Sequence, residues 1–166
     1  MKSGDKIFIT GATGLIGSRL LDYLTKYNFC TLGCFKQHRE FYNSDYLVQL
    51  DLLDLEKLTN QIKNFQPNII FHLASFNNNS NSSDPYEIIE NNLRTTNNLL
   101  KACEKNKNKD LKIIICSSLE LLKNFEKFPR TSYIFSKKII EDICQVYKKR
   151  IKAEIKIVRF GTVFGP

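Results

Sequence analysis

Residues 7–17 read Ile-Phe-Ile-Thr-Gly-Ala-Thr-Gly-Leu-Ile-Gly, an apolar run that breaks into three glycines and then continues in a helical pattern. A strand, a turn and a helix in this order direct backbone N–H groups and the positive end of a helix dipole at one point. That arrangement suits the pyrophosphate of a dinucleotide. In this interpretation Gly11 permits the tight turn, Gly14 lets phosphates approach the backbone, and Gly17 lets the helix lie close to the strand. The residues predicted to bind are Gly11, Thr13, Gly14, Leu15, Ile16 and Gly17.

The glycine spacing is Gly-x-x-Gly-x-x-Gly and not the Gly-x-Gly-x-x-Gly of ordinary dehydrogenases, so a glycine-rich turn without a ligand is the alternative. The rest of the chain bears on this choice. Its 166 residues fit one domain, and 42% hydrophobic with 25% charged residues is ordinary globular composition. We therefore expect a single folded unit that includes the glycine turn.

The five cysteines form no Cys-x-x-Cys pair, which indicates reduced thiols and favours the cytoplasm. No apolar stretch approaches the roughly 18 residues that a membrane-spanning helix needs. The formal net charge of +8 raises the question of an acidic partner. Because the lysines are concentrated at predicted helix ends and no aromatic-basic motif accompanies them, we expect neither nucleic-acid nor membrane binding.

Strand and helix patterns alternate along the whole chain. The predicted strands are 6–10, 29–35, 46–50, 69–73, 113–116 and 155–158, and the predicted helices are 15–26, 55–65, 84–106 and 131–149. This alternation predicts an α/β fold with a doubly wound parallel sheet between two helical layers, in the order 3-2-1-4-5-6, which is the Rossmann fold.

Ligands in such sheets bind beyond the carboxyl ends of the strands, so the residues at those ends deserve most weight. Tyr133 and Lys137 are four residues apart at the start of a predicted helix and so share one face. A nearby ammonium favours a phenolate, which predicts that Lys137 lowers the pKa of Tyr133 toward the working range of a general acid or base. Ser118 could hydrogen-bond the same substrate oxygen. His72 is expected to be a packed residue near the cofactor, and no metal site is predicted.

At this point the chain resembles the extended short-chain dehydrogenase/reductases that act on nucleotide sugars, the NAD-dependent epimerase/dehydratases. The motifs that carry the resemblance are residues 10–17, Asp51-Leu52, His72-Leu73-Ala74-Ser75, Asp84-Pro85 with Asn91 and residues 95–100, Ser117-Ser118, residues 133–137 and residues 159–166. The resemblance implies catalytic roles for Ser118, Tyr133 and Lys137. It implies cofactor contacts for Asp51, Leu52, Leu73, Ala74, Ser75, Tyr133 and Lys137.

The end of the second strand departs from this pattern. NAD users of the family offer a carboxylate there to the adenosine ribose, whereas residues 33–39 of this chain offer Lys36 and Arg39. Lys and Arg pair with a 2′-phosphate that a carboxylate would repel. We therefore expect NADP as the cofactor, with NAD as the alternative in which both residues are only surface charges.

Glu120, two residues after Ser118, matches the place of a glutamate that assists removal of water in sugar 4,6-dehydratases. Its neighbour Leu119 replaces the acidic or hydroxyl residue of those enzymes, so a structural Glu120 is the other interpretation. Members of the family continue well beyond the Gly165-Pro166 of this sequence. We accordingly expect residues 1–166 to form the NAD(P)-binding domain without the C-terminal substrate domain, as part of a homodimer. A non-catalytic NADP(H)-binding module is the alternative function.

Overall fold

The computed structural model describes residues 4–36, 46–77, 84–106, 110–123 and 131–164. Its strands are β1 (Lys6–Thr10), β2 (Cys30–Phe35), β3 (Leu47–Gln49), β4 (Ile69–His72), β5 (Lys112–Ser118) and β6 (Glu154–Phe160). Its helices are α1 (Leu15–Lys26), α2 (Leu55–Phe65), α3 (Pro85–Glu104) and α4 (Ser132–Lys148), with a 3₁₀ turn at Leu119–Leu122. Strand and helix alternate as the sequence predicts, except that β3 is the next described element after β2.

The strands form one parallel sheet in the order β3-β2-β1-β4-β5-β6. The predicted doubly wound order is therefore confirmed. The order reverses between β1 and β4, where Thr10 lies opposite His72 in register. A crevice opens at such a point because the connections that follow the two strands leave in opposite directions.

Helices cover both faces of the sheet, but unequally among the described residues. The larger core cluster joins the sheet to α2, α3 and α4 and includes Phe8, Leu58, Leu99 and Ile113. The smaller cluster joins the opposite face to α1 and includes Ile7, Ile9 and Leu24. Residues 7–9 of β1 are fully buried, because β1 lies between two neighbours and is packed on both faces.

Local sequence explains where the helices begin. Asp54 accepts a hydrogen bond from the Lys57 N–H and caps α2, and Asp84 caps α3 ahead of Pro85. The last two strands are longer than predicted: β5 extends to Ser118 and β6 to Phe160, paired in register throughout. The extension matters because it carries both strand ends up to the crevice.

Candidate cofactor and catalytic cleft

A cleft of about 460 Å³ lies at the carboxyl ends of β1, β4, β5 and β6. Ten predicted site residues line it: Gly11, Gly14, Leu15, Ile16, Gly17, Leu73, Ser75, Ser118, Glu120 and Tyr133. The other lining residues are Asn77, Cys116, Ser117, Phe160, Gly161, Thr162 and Val163. The structure thus brings the glycine turn and the start of α4 together around one space, although more than 100 residues separate them.

The glycine turn forms one wall and is built by close backbone approach. Gly11 has a φ of 69°, and a Cβ atom there would lie 2.6 Å from the Ala74 backbone nitrogen. A Cβ atom on Gly17 would collide with the Gly11 carbonyl oxygen and lie 2.9 Å from the Ala12 Cα. Both positions therefore exclude any side chain, Gly11 by conformation and contact and Gly17 by contact alone.

The first turn of α1 points its backbone N–H groups into this wall. Gly14 is the N-cap residue and offers no side chain to cap the helix, and the first turn carries no acidic residue. The N–H groups of Leu15, Ile16 and Gly17 precede the first intrahelical donor, Ser18, whose N–H bonds the Gly14 carbonyl. Uncapped N–H groups at the positive end of a helix dipole favour a phosphate. The described geometry fits a pyrophosphate at this turn.

A buried hydrogen-bond relay fixes β4 against β1 below the turn. Thr96 Oγ1 donates to the Asn92 carbonyl oxygen (2.9 Å), so it accepts from His72 Nε2 (3.0 Å). His72 Nδ1 then accepts from Thr10 Oγ1 (2.8 Å), which itself accepts the Ala74 N–H (3.3 Å). Burial, with a smaller effect of the nearby Lys137 charge, lowers the pKa of His72 from 6.5 to about 3. His72 is a neutral packing residue, as the sequence predicts.

Tyr133 and Lys137 occupy one face of α4. Lys137 is 3% exposed, and its ammonium donates to the Cys116 carbonyl oxygen at 3.0 Å. The same nitrogen lies 5.2 Å from the centre of the Tyr133 ring. The lysine therefore faces the ring of the tyrosine and ties α4 to the end of β5.

The pKa of Tyr133 shifts in the direction opposite to the predicted one. Burial, followed by the neighbouring Cys116 and Glu120, raises the pKa of Tyr133 to about 12. Burial also lowers the pKa of Lys137. The physical reason is that burial withdraws both groups from water, which disfavours the charged form of each.

Ser118 and Glu120 lie at the end of β5. Ser118 is 7% exposed, and its Oγ accepts the Glu120 N–H at 3.2 Å, which caps the 3₁₀ turn. The Glu120 carboxylate is half-exposed and pairs with Lys123 Nζ at 2.8 Å. Both side chains border the same cleft as Tyr133. Glu120 thus stands at the site with its carboxylate already paired.

Asn92 connects the loop after β4 to α4. Its Oδ1 accepts from the Phe76 N–H (2.7 Å) and from Ser75 Oγ (3.1 Å). Its Nδ2 donates to the Phe76 carbonyl oxygen and to Ser136 Oγ, both at 2.9 Å. Ser136 Oγ donates in turn to the Tyr133 carbonyl oxygen. One buried amide therefore sets the position of the Ser75 loop relative to the helix turn that carries Tyr133.

A second buried polar group joins α4 to the ends of β5 and β6. Glu141 accepts from Arg159 through both carboxylate oxygens and from Ser117 Oγ at 2.7 Å. The Arg159 guanidinium, through these hydrogen bonds, holds the pKa of Glu141 below its usual range. Tyr133, Lys137 and Glu141 follow at intervals of four and share one helix face. This face aligns the strand ends that border the cleft.

Lys36 and Asp51 lie together at the ends of β2 and β3, outside the cleft lining. Lys36 Nζ is 3.1 Å from Asp51 Oδ2 and 5.6 Å from the centre of the Phe76 ring. Arg39, predicted beside Lys36, lies outside the described residues. The structure therefore adds to the predicted Lys36 a carboxylate that sequence reasoning had assigned a separate role.

Four other predicted residues also lie away from the cleft lining. Leu52 is 6% exposed and belongs to the larger core cluster, and Ala74 packs against that cluster. Thr13 is half-buried within the glycine turn. Lys137 does not line the cleft itself; its ammonium contacts the Cys116 carbonyl oxygen and the Tyr133 ring, and both of those residues line the cleft. Leu52 and Ala74 support the site by packing.

Sequence reasoning missed Asn92, Glu141 and the wall formed by residues 160–163. A signal for the first existed, because Asn92 stands four residues after Ile88 and four before Thr96, on the buried face of α3. A polar residue at a core position of an amphipathic helix indicates a buried hydrogen-bond partner. Residues 160–163 belong to a motif that carries the family resemblance, but that motif alone did not predict that they line the cleft.

No group of three or more His, Cys, Asp or Glu side chains among the described residues could hold a metal ion. None of the helices that the structure describes is both long enough and apolar enough to cross a membrane.

The fold and the cleft define a dinucleotide-binding α/β domain with a serine, a tyrosine and a lysine gathered at one sheet edge. The sequence model of the NAD-dependent epimerase/dehydratase family matches residues 7–166, and the chain belongs to this family.

Among known proteins, the chain is 29% identical to the dTDP-D-glucose 4,6-dehydratase of Dictyostelium discoideum, over 97% of this chain and 44% of that protein. The epimerase Mth375 of Methanothermobacter thermautotrophicus superposes with a TM-score of 0.84 at 24% identity, over 99% of this chain and 53% of that one. The UDP-glucose 4-epimerase of Thermus thermophilus, solved with NAD, superposes with a TM-score of 0.80 at 24% identity, over 97% and 56%. The chain thus spans about half the length of these relatives.

Proposed function

We propose that this chain is the cofactor-binding and catalytic half of an NAD(P)-dependent enzyme that acts on a nucleotide sugar, as an epimerase, dehydratase or reductase. The observation that carries the proposal is the single cleft bordered by the uncapped glycine turn, Ser118 and Tyr133. Relatives named for dTDP-D-glucose and UDP-glucose support the substrate class.

In this proposal each group of site residues has its own chemical role. Gly11, Gly14 and the N–H groups of the first α1 turn hold the pyrophosphate of the dinucleotide. When bound, the nicotinamide supplies a hydride donor or acceptor. Tyr133 exchanges a proton through its phenolic oxygen with a sugar hydroxyl or keto group, and Ser118 orients that oxygen by hydrogen bonding. Glu120 would leave its contact with Lys123 to assist proton transfer in a dehydration.

The raised pKa of Tyr133 fits this role in a specific way. At neutral pH the tyrosine carries its proton, so it begins as an acid toward a keto oxygen. To serve as a base it would need a further positive charge near the ring, which a bound oxidised nicotinamide would provide. Lys137, held by the Cys116 carbonyl, keeps its ammonium beside the ring. In this proposal it also contacts the cofactor ribose.

Cofactor choice, assembly and location belong to the same proposal. Lys36 and Arg39, two cations that follow the end of β2 in the sequence, favour NADP over NAD, since Lys and Arg pair with a 2′-phosphate. Helices α3 and α4 form the face for a homodimer. Five free cysteines, three of them buried, are in keeping with the cytoplasm.

The experiment compares wild type with Tyr133→Phe, using Tyr86→Phe as a matched control because Tyr86 is 66% exposed. Cofactor binding is measured by calorimetry, and conversion of UDP-glucose and dTDP-glucose by nuclear magnetic resonance. Tyr133→Phe should reduce conversion about 10²–10⁴-fold at unchanged cofactor affinity, because it removes only the proton donor. Tyr86→Phe should match wild type.

Clear binding of NADPH without conversion of either sugar would favour the second candidate, a non-catalytic NADP(H)-binding module. The observation in its favour is that two predicted catalytic side chains already have partners within the chain: the Glu120 carboxylate pairs with Lys123, and the Lys137 ammonium bonds the Cys116 carbonyl oxygen. Failure of wild type to bind NADPH or NADH would contradict both candidates.

A further inference from the structure

Three side chains from three different strand ends meet beside the adenosine end of the fold. Lys36 follows β2, Asp51 follows β3, and Phe76 follows β4. The Lys36 ammonium lies 3.1 Å from Asp51 Oδ2 and 5.6 Å from the Phe76 ring centre. The cation is therefore held by a carboxylate on one side and an aromatic face on the other.

Both partners of Lys36 are held in place by further hydrogen bonds. Asp51 Oδ1 accepts the Leu53 N–H at 2.9 Å, which orients the carboxylate while Oδ2 bonds the lysine. The backbone of Phe76 is bound at both its N–H and its carbonyl by Asn92. The ammonium is thus directed to a defined place and not left as a freely rotating surface charge.

In dinucleotide-binding sheets the residue that follows β2 discriminates the 2′-hydroxyl of NAD from the 2′-phosphate of NADP. A lysine there pairs with the phosphate, but a lysine that is already paired must first leave its carboxylate. Asp51 competes with an incoming phosphate for Lys36, because the ammonium must give up its contact with the carboxylate to pair with the phosphate.

We propose that Asp51 is a selectivity-determining residue that acts through Lys36, holding the preference of this chain for NADP below what the lysine alone would give. The inference rests on the proposed function, because it requires that the cleft bind a nicotinamide dinucleotide. The Lys36 ammonium exchanges partners: it turns toward a 2′-phosphate when one is present and returns to Asp51 when none is. The chain accordingly accepts both cofactors, with NADP preferred modestly.

A double-mutant cycle tests this inference. Wild type, Asp51→Asn, Lys36→Met and the double variant are titrated with NADPH and with NADH, and the ratio of the two dissociation constants is recorded. The ratio cancels any contact that Asp51 makes with parts common to both cofactors. Asparagine retains the Oδ1 acceptor for the Leu53 N–H, and methionine retains an unbranched apolar stem beside Phe76, so both variants should keep the fold.

Asp51→Asn should raise the preference for NADPH about three- to tenfold, a change of the size expected when an exposed charge pair is released to a phosphate. Lys36→Met should lower the preference by a similar factor. In the Lys36→Met background the added Asp51→Asn change should shift the ratio less than twofold, because the lysine through which Asp51 acts is gone.

Glu56→Gln is the matched control, since it removes an equal exposed charge from the first turn of α2. It should leave the ratio unchanged within about 1.5-fold, because a charge beyond the contact is screened by salt. An equal shift from Asp51→Asn in both backgrounds, or an equal shift from Glu56→Gln, would overturn the inference while leaving the proposed function intact. Absence of binding of either cofactor to wild type would overturn the proposed function and the inference with it.

Discussion

The two walls of the cleft are built by opposite means. The glycine turn after β1 takes its shape from backbone atoms in contact, with no room at Gly11 or Gly17 for one further carbon. The wall formed by α4 and the ends of β4 and β5 depends on buried side chains, above all Asn92, Glu141 and His72, each hydrogen-bonded at both ends.

This difference teaches how each wall can fail. A wall made by backbone contact is damaged by adding atoms, because close-packed backbone cannot move aside cheaply. A wall made by buried polar side chains is damaged by removing atoms, because each partner left behind loses its hydrogen bond without regaining water. Substitutions that add or remove a small number of atoms therefore separate the two mechanisms.

The largest effect is expected at the backbone wall. Gly17→Ala should lower the free energy of unfolding by about 3 kcal/mol or more, because the new methyl group collides with the Gly11 carbonyl and the Ala12 Cα. Urea denaturation measures the change. Gly161→Ala, also in the cleft, meets only Leu119 Cδ1 at 3.6 Å and should change the free energy by less than about 0.5 kcal/mol. Equal losses at both glycines would contradict the distinction between the walls.

The side-chain wall should respond to deletion at Asn92. Asn92→Ala removes the amide that bonds the Phe76 N–H, the Phe76 carbonyl and the Ser136 hydroxyl, and should cost about 2–4 kcal/mol of unfolding free energy. Cofactor affinity should also fall, because the loop that carries Ser75 is released. The neighbouring Asn91→Ala, at a half-buried position of the same helix, should cost less than about 1 kcal/mol. Similar costs at the two asparagines would show that the buried amide does not hold the wall.

The smallest expected effect is a pH dependence of the free energy of unfolding, caused by His72 in the side-chain wall. The pKa of His72 is lowered in the folded state from 6.5 to about 3, so the unfolded chain binds the extra proton between those values. The stability that neutral His72 provides is present above pH 6.5 and is lost progressively as the pH falls toward 3. Lowering the pH from 7 to 5 should therefore cost about 2 kcal/mol of unfolding free energy.

Urea denaturation at several pH values, compared between wild type and His72→Gln, isolates this contribution. The glutamine variant should lose most of the slope between pH 7 and 5, because glutamine does not titrate. An unchanged slope in His72→Gln would assign the pH dependence to other groups and would remove His72 from the account of this wall.

Most of the architecture could be predicted from local sequence. Buried apolar runs located the six strands, and Asp54, Asp84 and Pro85 located helix starts, because strand burial and helix capping depend on residues close together in the chain. The glycine turn was predictable for the same reason. The ends of β5 and β6 were predicted too short, since their last residues pair with each other across the sheet and carry little apolar signal of their own.

The sequence by itself determined the positions of most strands and helices, the glycine turn of residues 11–17 and the shared face of Tyr133 and Lys137. Each follows from short-range periodicity or from a glycine that nothing else could replace. Only the tertiary structure decided that the pKa of Tyr133 is raised and that Lys36 is paired with Asp51. It also decided that Asn92 joins two distant segments. Burial and long-range contact set a residue's solvation and its partners, and neither can be read from the residues beside it in the chain.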